Sequence, residues 1–155
     1  MISFVTEHIF PAAFSLLPEK MDTPEARAML LAIGLQESRF EHRVQIRGPA
    51  HGYWQFERGG GVRGVLRHPA SETHAKHVCS VLNYRSESDE VYRAIVDNDI
   101  LACCFARLLL WTLPGSLPGA AESGEGWRQY IEAWRPGKPH RETWDGFYEQ
   151  AWTYP

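Results

Sequence analysis

The stretch that decides the fold runs from Ala26 to Glu57 and reads ARAMLLAIGLQESRFEHRVQIRGPAHGYWQFE. Its first half predicts an apolar helix that ends near Phe40. Thr23, Pro24 and Glu25 would begin this helix well, because they supply a hydroxyl N-cap, a proline at the first helical position and a carboxylate at the positive end of the dipole. A turn and a second, glycine-containing motif follow the helix.

Glu37 is the carboxylate that this helix carries into the interior. Ala26, Leu30, Ile33 and Glu37 recur at helical spacing, so they share one face. Burial and the negative end of the helix dipole both disfavour the anion, so we expect the pKa of Glu37 to be raised. A carboxyl that stays protonated near neutral pH can act as a general acid. Helix geometry alone also allows a second interpretation, in which Glu37 is an ordinary residue of the last helical turn without a catalytic role.

Two short motifs resemble those of a known family. Glu37–Phe40 is similar to the Glu-Ser-x-Phe signature of the lysozyme-like superfamily, in its lytic transglycosylase and goose-type lysozyme branch. Ala50–Gln55 resembles that branch's second motif, Ala-x-Gly-Leu-x-Gln, which forms short strands and a turn below the sugar cleft. The resemblance implies that Glu37 is the catalytic acid, that Ser38 has an orienting or substrate-binding role, and that Gln55 holds a sugar.

Two aromatic residues complete the predicted substrate-binding set. Tyr53 stands where the family's second motif has leucine. Trp134 lies in Ala133–Gly137, which resembles a diverged form of the family's Ala-Tyr-Asn-x-Gly-x-Gly segment, whose tyrosine lies near the catalytic Glu. Indole faces stack on pyranose rings, so we expect Trp134 in the cleft. The other tail tryptophans are expected to pack the last helices onto the core: Trp127, Trp144 and Trp152.

The resemblance implies cleavage of the β-1,4 bond between N-acetylmuramic acid and N-acetylglucosamine in peptidoglycan, through an oxocarbenium-like state. Lytic transglycosylases lack a second carboxylate and give 1,6-anhydro products, and we expect this reaction. Goose-type lysozymes carry an Asp two residues after the motif Gln. Glu57 takes that place here, so Glu57 either holds a hydrolytic water or lies exposed at a strand end.

Other classes of protein stay open at this point. A phage structural protein or a glycan-binding module could keep the same fold without cleaving the strand. A chitin-cleaving hydrolase would differ only in its substrate. The intact Glu37–Phe40 and Ala50–Gln55 motifs favour an enzyme, because a scaffold has no need of the acid.

Composition bounds the class of protein. A chain of 155 residues is expected to form one domain, 1–155, and 44% hydrophobic with 23% charged residues is typical of a soluble globular protein. The net charge of −3 argues against nucleic acid as a partner. Between Arg39 and His68, six arginines face two glutamates, a balance of +4 that leaves −7 for the remainder. This basic region would suit an anionic cell-wall glycan, or Arg39, Arg43 and Arg47 form a solvated helix stripe.

We expect no cofactor, because acid chemistry on an acetal needs none, and no metal. His74, His77 and Cys79 fit no zinc-ligand spacing, and the two histidines are expected at the surface. The three cysteines are predicted to be reduced and buried.

The N-terminal segment Ile2–Leu17 predicts a core-packing helix that Pro11 breaks or kinks. It lacks the basic start and cleavage site of a signal peptide, so synthesis in the cytoplasm without export signal is expected. Stable membrane insertion is not expected, because the apolar segment Ile100–Leu113 is short and contains Arg107. The resemblance implies a phage or prophage enzyme acting on the bacterial wall, with virion or lysis proteins as partners.

These expectations combine into one fold. We predict a lysozyme-like α+β protein that is mainly α-helical, with a small irregular β-sheet formed by His51–Glu57 beside the cleft. Ile100–Leu113 would be the central buried helix. The triple glycine Gly59–Gly61 would form a mobile loop at the border of the cleft.

Overall fold

The computed structural model describes residues 1–154 and begins with a continuous helical segment. Helix α1 (Ile2–Phe4) passes through a π-helical turn (Val5–Ile9) into α2 (Phe10–Phe14). Pro11 lies in the first turn of α2, where its missing N–H is least costly. The wider π turn directly before it makes room for the proline ring, so the helical path continues through Pro11.

Helix α3 (Pro24–Ser38) forms as the sequence predicts. The Thr23 hydroxyl caps it by accepting a hydrogen bond from the Ala26 amide at 3.1 Å, and Pro24 occupies the first helical position. The apolar face made by Ala26, Leu30 and Ile33 is fully buried. The helix stops at Arg39, whose left-handed conformation (φ 58°) forms the C-cap.

The predicted α+β class with a small β-sheet is wrong, although the chain is mainly helical. Over residues 1–154 the only β-type pairings are two isolated bridges, between Val44 and His51 and between His51 and Phe56. Gly52 and Gln55 have positive φ angles (79° and 53°), which turn the chain back at once. Neither bridge extends into a ladder, because a turn or bend lies next to each paired residue. The motif region is therefore a compact loop, and the fold is all-helical.

Five helices and a turn follow this loop up to Trp134: a π-helical turn (Arg58–Val62), α4 (Arg63–Arg67), α5 (Glu72–Val81), α6 (Ser88–Asp97), α7 (Asp99–Trp111) and α8 (Ser123–Trp134). The predicted central helix is confirmed as α7, which is buried from Leu101 to Leu110. Asn98 caps it by accepting from the Leu101 amide at 3.0 Å. Helix α7 packs against α2, α5 and α6, so its nearly continuous apolar surface meets protein on most sides.

Helix α9 (Arg141–Ala151) closes the fold by packing along α3 and α8. The Gln36 side chain fixes this contact: its Nε2 donates to the His140 carbonyl at 2.9 Å and its Oε1 accepts from the Thr143 hydroxyl at 2.9 Å. A 3-10 turn (Glu19–Met21) connects α2 to α3. In residues 1–154, no helix combines the length and apolar character needed to cross a bilayer.

Two further expectations have clear outcomes. The cysteines Cys79, Cys103 and Cys104 are confirmed as free and buried. The helix-stripe interpretation of Arg39, Arg43 and Arg47 is wrong, because residues 39–47 form turns and a bridge, with no helix. His77 is exposed and His74 is half-buried.

Candidate active site

The site is built at the C-terminal end of α3, where the chain makes an unusual turn. Arg39 and Phe40 both adopt positive φ (58° and 55°), a conformation that costs energy for residues with a side chain. The turn drives the Phe40 ring back onto the helix above Gly34, where an added Cβ would lie 2.0 Å from the ring. Phe40 is fully buried there. This packing fixes the last turn of α3 and, with it, Glu37.

Glu37 meets a partner from the opposite end of the chain. The Tyr130 hydroxyl, on α8, donates a hydrogen bond of 2.5 Å to Glu37 Oε1. Tyr130 is 2% exposed, and its ring stacks on Trp144 of α9 with ring centroids 5.2 Å apart and planes 8° from parallel. Helices α8 and α9 therefore hold this hydroxyl in place.

The predicted rise in the pKa of Glu37 is confirmed. The pKa of Glu37 is raised from 4.5 to about 7, chiefly because the carboxyl is buried; the hydrogen bond from Tyr130 opposes this rise and the negative charge of Glu57 adds to it. Burial and the nearby charge of Glu37 also raise the pKa of the Tyr130 hydroxyl above its usual value, so Tyr130 remains a donor. The site thus holds a carboxyl that exchanges its proton near neutral pH.

Ser38 joins the two sequence motifs. It is 3% exposed, and its hydroxyl donates to the Tyr53 carbonyl at 2.7 Å while accepting from the Phe40 amide at 3.1 Å. The hydroxyl therefore satisfies two backbone groups that the sharp turn leaves free. Its position is that of an orienting residue between α3 and the Ala50–Gln55 loop.

Gln55 and Tyr53 lie in this loop with different surroundings. The Gln55 side chain is half-buried, and its Nε2 donates to the Gly52 carbonyl at 2.8 Å across the turn. Tyr53 is 1% exposed, and the Arg43 guanidinium lies 4.4 Å from its ring centroid. The sugar contacts predicted for both side chains stay predictions.

Trp134 lies against the same loop, at the end of α8. Its indole N–H donates to the Trp54 carbonyl at 2.7 Å, and its ring centroid is 6.0 Å from that of Phe56. The Trp54 indole in turn donates to the Leu30 carbonyl of α3 at 2.8 Å. Trp134 is half-buried, so part of its ring remains open to a ligand. The same helix thus places Tyr130, which contacts Glu37, and Trp134, which contacts the Ala50–Gln55 loop, one turn apart.

Glu57 comes directly after Phe56 in the chain, and it is exposed. Its charge acts on the pKa of Glu37, which relates the two carboxylates electrostatically. The triple glycine after it is wound into the Arg58–Val62 turn, where an added Cβ at Gly61 would lie 2.6 Å from the Phe56 ring. Glycine at this position lets the turn pass closely over Phe56.

The basic region is partly neutralised by ion pairs. Arg43 binds Asp99 through two hydrogen bonds of 3.0 and 2.8 Å, and Arg58 contacts Asp89 at 2.7 Å. The Arg39 side chain donates to the Leu35 carbonyl and its guanidinium lies 4.4 Å from the Phe147 ring centroid. These arginines make contacts within the fold, so the basic surface is smaller than the number of arginines in the sequence indicates.

Tyr130 is the site residue that the sequence reasoning missed. The Trp127-x-x-Tyr130-x-x-x-Trp134 spacing was a usable signal, because residues four apart share a helix face. The tendency of indoles to stack on sugars points to Trp134, whereas the Tyr130 phenol one turn earlier gives no such signal. The core-packing role expected of the other tryptophans is confirmed for Trp144, which is fully buried, while Trp127 and Trp152 are half-buried against the same cluster.

Searches against models of protein families, curated proteins and solved structures found no match to this chain.

Proposed function

We propose that this protein cleaves the β-1,4 glycosidic bond of the peptidoglycan strand with Glu37 as the general acid. The observation that carries the proposal is the Glu37 carboxyl, whose pKa lies near 7 and whose Oε1 is held by the Tyr130 hydroxyl at 2.5 Å. A site with this acid can protonate a leaving oxygen at neutral pH and take the proton back. The resemblance of Glu37–Phe40 and Ala50–Gln55 to lytic transglycosylase motifs supplies the substrate class.

The proposed reaction needs one carboxyl. Glu37 gives its proton to the glycosidic oxygen as the bond to the muramic acid C1 breaks, which leaves an oxocarbenium-like centre. The Glu37 carboxylate then takes the proton of the sugar's own 6-hydroxyl, and that oxygen closes on C1. The product is a 1,6-anhydro sugar, no water is consumed, and Glu37 ends protonated.

Hydrolysis is the second candidate, and the charge of Glu57 favours it. The negative charge of Glu57 raises the pKa of Glu37, so the two carboxylates interact electrostatically. In this reaction Glu57 would take a proton from water as the water attacks C1, giving a free reducing end.

We place the activity at the bacterial wall, with virion or lysis proteins of a phage as partners.

The experiment is mass spectrometry of products from purified peptidoglycan, with wild type and Glu37→Gln. We expect anhydro-muropeptides from the wild type and a loss of at least a hundredfold in Glu37→Gln, because general acid catalysis contributes about 10²–10⁴-fold. Glu41→Gln, which changes an exposed carboxyl in the following loop, is the control and should keep full activity. Reducing-end products that disappear in Glu57→Gln would establish hydrolysis. Equal products from wild type and Glu37→Gln would refute the proposal.

A further inference from the structure

A cavity lies away from the Glu37 site. It has a volume of about 440 Å³ and opens between the start of α3, the end of α7 with the loop that follows it, and the middle of α8. Helix α3 has 15 residues, so its start and the Glu37 turn lie about 20 Å apart along the helix. None of the residues proposed for glycan cleavage lines the cavity, and its size is that of a small-molecule pocket.

Arg107 is the charged group of this cavity. It is 3% exposed, and its Nε donates to the Met21 carbonyl at 2.8 Å. Over residues 1–154 it forms no salt bridge. Asp22 acts on it through its charge, but Arg27 binds both Asp22 oxygens at 2.7 and 2.9 Å. Burial lowers the pKa of Arg107 to about 10, so the group still carries its charge at neutral pH.

A buried cation without an ion pair is costly, and its chemistry indicates what would compensate it. The Nε–H of Arg107 is used by Met21, which leaves the two terminal nitrogens as a parallel pair of donors. Such a pair matches the two oxygens of one carboxylate. An anion bound here would replace the missing ion pair.

The other walls define the rest of the ligand. Trp111, Leu113 and Leu117 contribute apolar surface. Gln129 is 3% exposed and its Nε2 donates to the Ser116 carbonyl at 2.9 Å, which leaves its side-chain oxygen as an acceptor. Glu25 also lines the cavity, and its negative charge disfavours ligands with two or more negative charges, such as phosphate.

We propose that this cavity, which we call the Arg107 pocket, binds a small monocarboxylate with an apolar body. The carboxylate pairs with the Arg107 guanidinium, and the apolar body lies on Trp111, Leu113 and Leu117. The pocket is independent of glycan cleavage.

The test is a titration of the ¹⁵N-labelled protein with 3-phenylpropionate, hexanoate and the neutral 3-phenylpropionamide, followed by NMR. We expect both carboxylates to shift the NMR signals of the Trp111 indole and the Gln129 side chain. The neutral 3-phenylpropionamide should bind at least tenfold more weakly. Leu113→Trp, which fills the pocket and leaves Arg107 in place, should weaken carboxylate binding at least tenfold. Arg107→Met should do the same, and Arg67→Met, at an exposed position on α4, should leave binding unchanged.

Several results would overturn the proposal. These are equal binding of the amide and the acid, carboxylate binding that survives in Leu113→Trp, or no shift at Trp111 and Gln129 with either carboxylate. Leu113→Trp decides the question even where Arg107→Met fails to fold. Its glycan cleavage should equal that of the wild type, which separates this pocket from the Glu37 site.

Discussion

The contact between Glu37 and Tyr130 shows at the scale of single residues how an acid is tuned. Burial pushes the pKa of Glu37 up, and the hydroxyl that donates to its carboxylate form pulls it down, with a balance near 7. The phenol also fixes the direction of Oε1. One side chain therefore sets both the orientation and the proton affinity of the proposed acid.

Replacing Tyr130 by phenylalanine separates these two effects. Because the hydrogen bond lowers the pKa of Glu37, Tyr130→Phe should raise that pKa, so the alkaline limb of the pH–activity profile moves to higher pH. The rate at the optimum should fall about tenfold, as expected for a lost hydrogen bond to a carboxyl. The measurement is the pH profile of release of soluble fragments from peptidoglycan.

Tyr148→Phe is the matched control for this experiment. Tyr148 is buried on the neighbouring helix α9, and its hydroxyl donates to the Gly119 carbonyl at 2.7 Å. Its removal should lower stability and leave the pH profile in place. A Tyr130→Phe profile identical to that of the wild type would contradict the role assigned to Tyr130.

The raised pKa of Glu37 also predicts how stability depends on pH. The folded protein holds this proton up to pH about 7, whereas the unfolded chain releases it near 4.5, so deprotonation in the fold costs stability as pH rises through this window. The full cost above pH 7 is on the order of 3 kcal/mol. Glu37→Gln should therefore be more stable than the wild type at pH 8, with the difference vanishing by pH 4.5.

Urea unfolding of both proteins from pH 4.5 to pH 8 measures this difference. Glu149→Gln, at an exposed position on α9, serves as the control for losing a carboxylate. A stability difference between Glu37→Gln and wild type that stays constant over the whole range would mean that Glu37 does not titrate in this window.

At the scale of elements, the turn after α3 depends on Gly34. The Phe40 ring fills the space where a Cβ at position 34 would lie, 2.0 Å from the nearest ring atom. Gly34→Ala must displace a fully buried ring and the strained Arg39–Phe40 turn with it. We expect a loss of about 1–3 kcal/mol in the free energy of unfolding, typical of an overpacked core, and a loss of glycan cleavage as Glu37 moves.

Gly146→Ala is the control, because Gly146 is exposed on α9 and nothing lies within 4 Å of an added Cβ. It should stabilise the protein by up to about 1 kcal/mol through helix propensity. Thermal unfolding of the two variants compares them directly. Equal melting temperatures would show that Phe40 does not depend on the glycine.

The element scale is also where the sheet prediction failed. The Ala50–Gln55 motif indicated strands by resemblance, but a strand needs consecutive residues that can pair with a neighbour. Gly48 and Pro49 precede His51, and the helical turn that begins at Arg58 follows Phe56 closely, so each bridge stays a single pair. The loop is stabilised instead by side chains, with Ser38 and the Trp54 indole tying it to α3.

At the scale of the whole molecule, one hydrophobic core extends from Val5 in the N-terminal helical segment to Ala151 in α9. The three thiols lie within it, and burial raises the pKa of Cys79 to about 11 and that of Cys104 to about 12. A thiol reagent must reach the sulfur and reacts with its thiolate form, so burial and the raised pKa both protect these residues in the folded state.

Thiol labelling should therefore report global opening. We expect native protein to react on the order of a thousandfold more slowly than protein in guanidinium, because labelling waits for rare unfolding. Ellman's reagent measures the rate, and a small thiol compound in the same guanidinium solution controls for the effect of denaturant on the reagent. Rapid labelling of any cysteine in the native protein would indicate a part of the core that opens locally.

Local patterns determined what lies within one helix or one turn. The cap of α3 at Thr23, the buried face that ends in Glu37 and the central helix α7 follow from propensity and periodicity, which act over a few residues. The raised pKa of Glu37 was predictable for the same reason, since burial of that face sets its direction.

Tertiary structure alone decided which distant residues meet. Tyr130 reaches Glu37 across 93 positions of sequence, and the Arg107 pocket forms only where α3, α7 and α8 converge. Tertiary structure also decided that Arg43 pairs with Asp99 and that the segment predicted to form a sheet is a loop. Such contacts depend on how helices pack against one another, and this packing is set by the shape of the whole core, which no local pattern in the sequence contains.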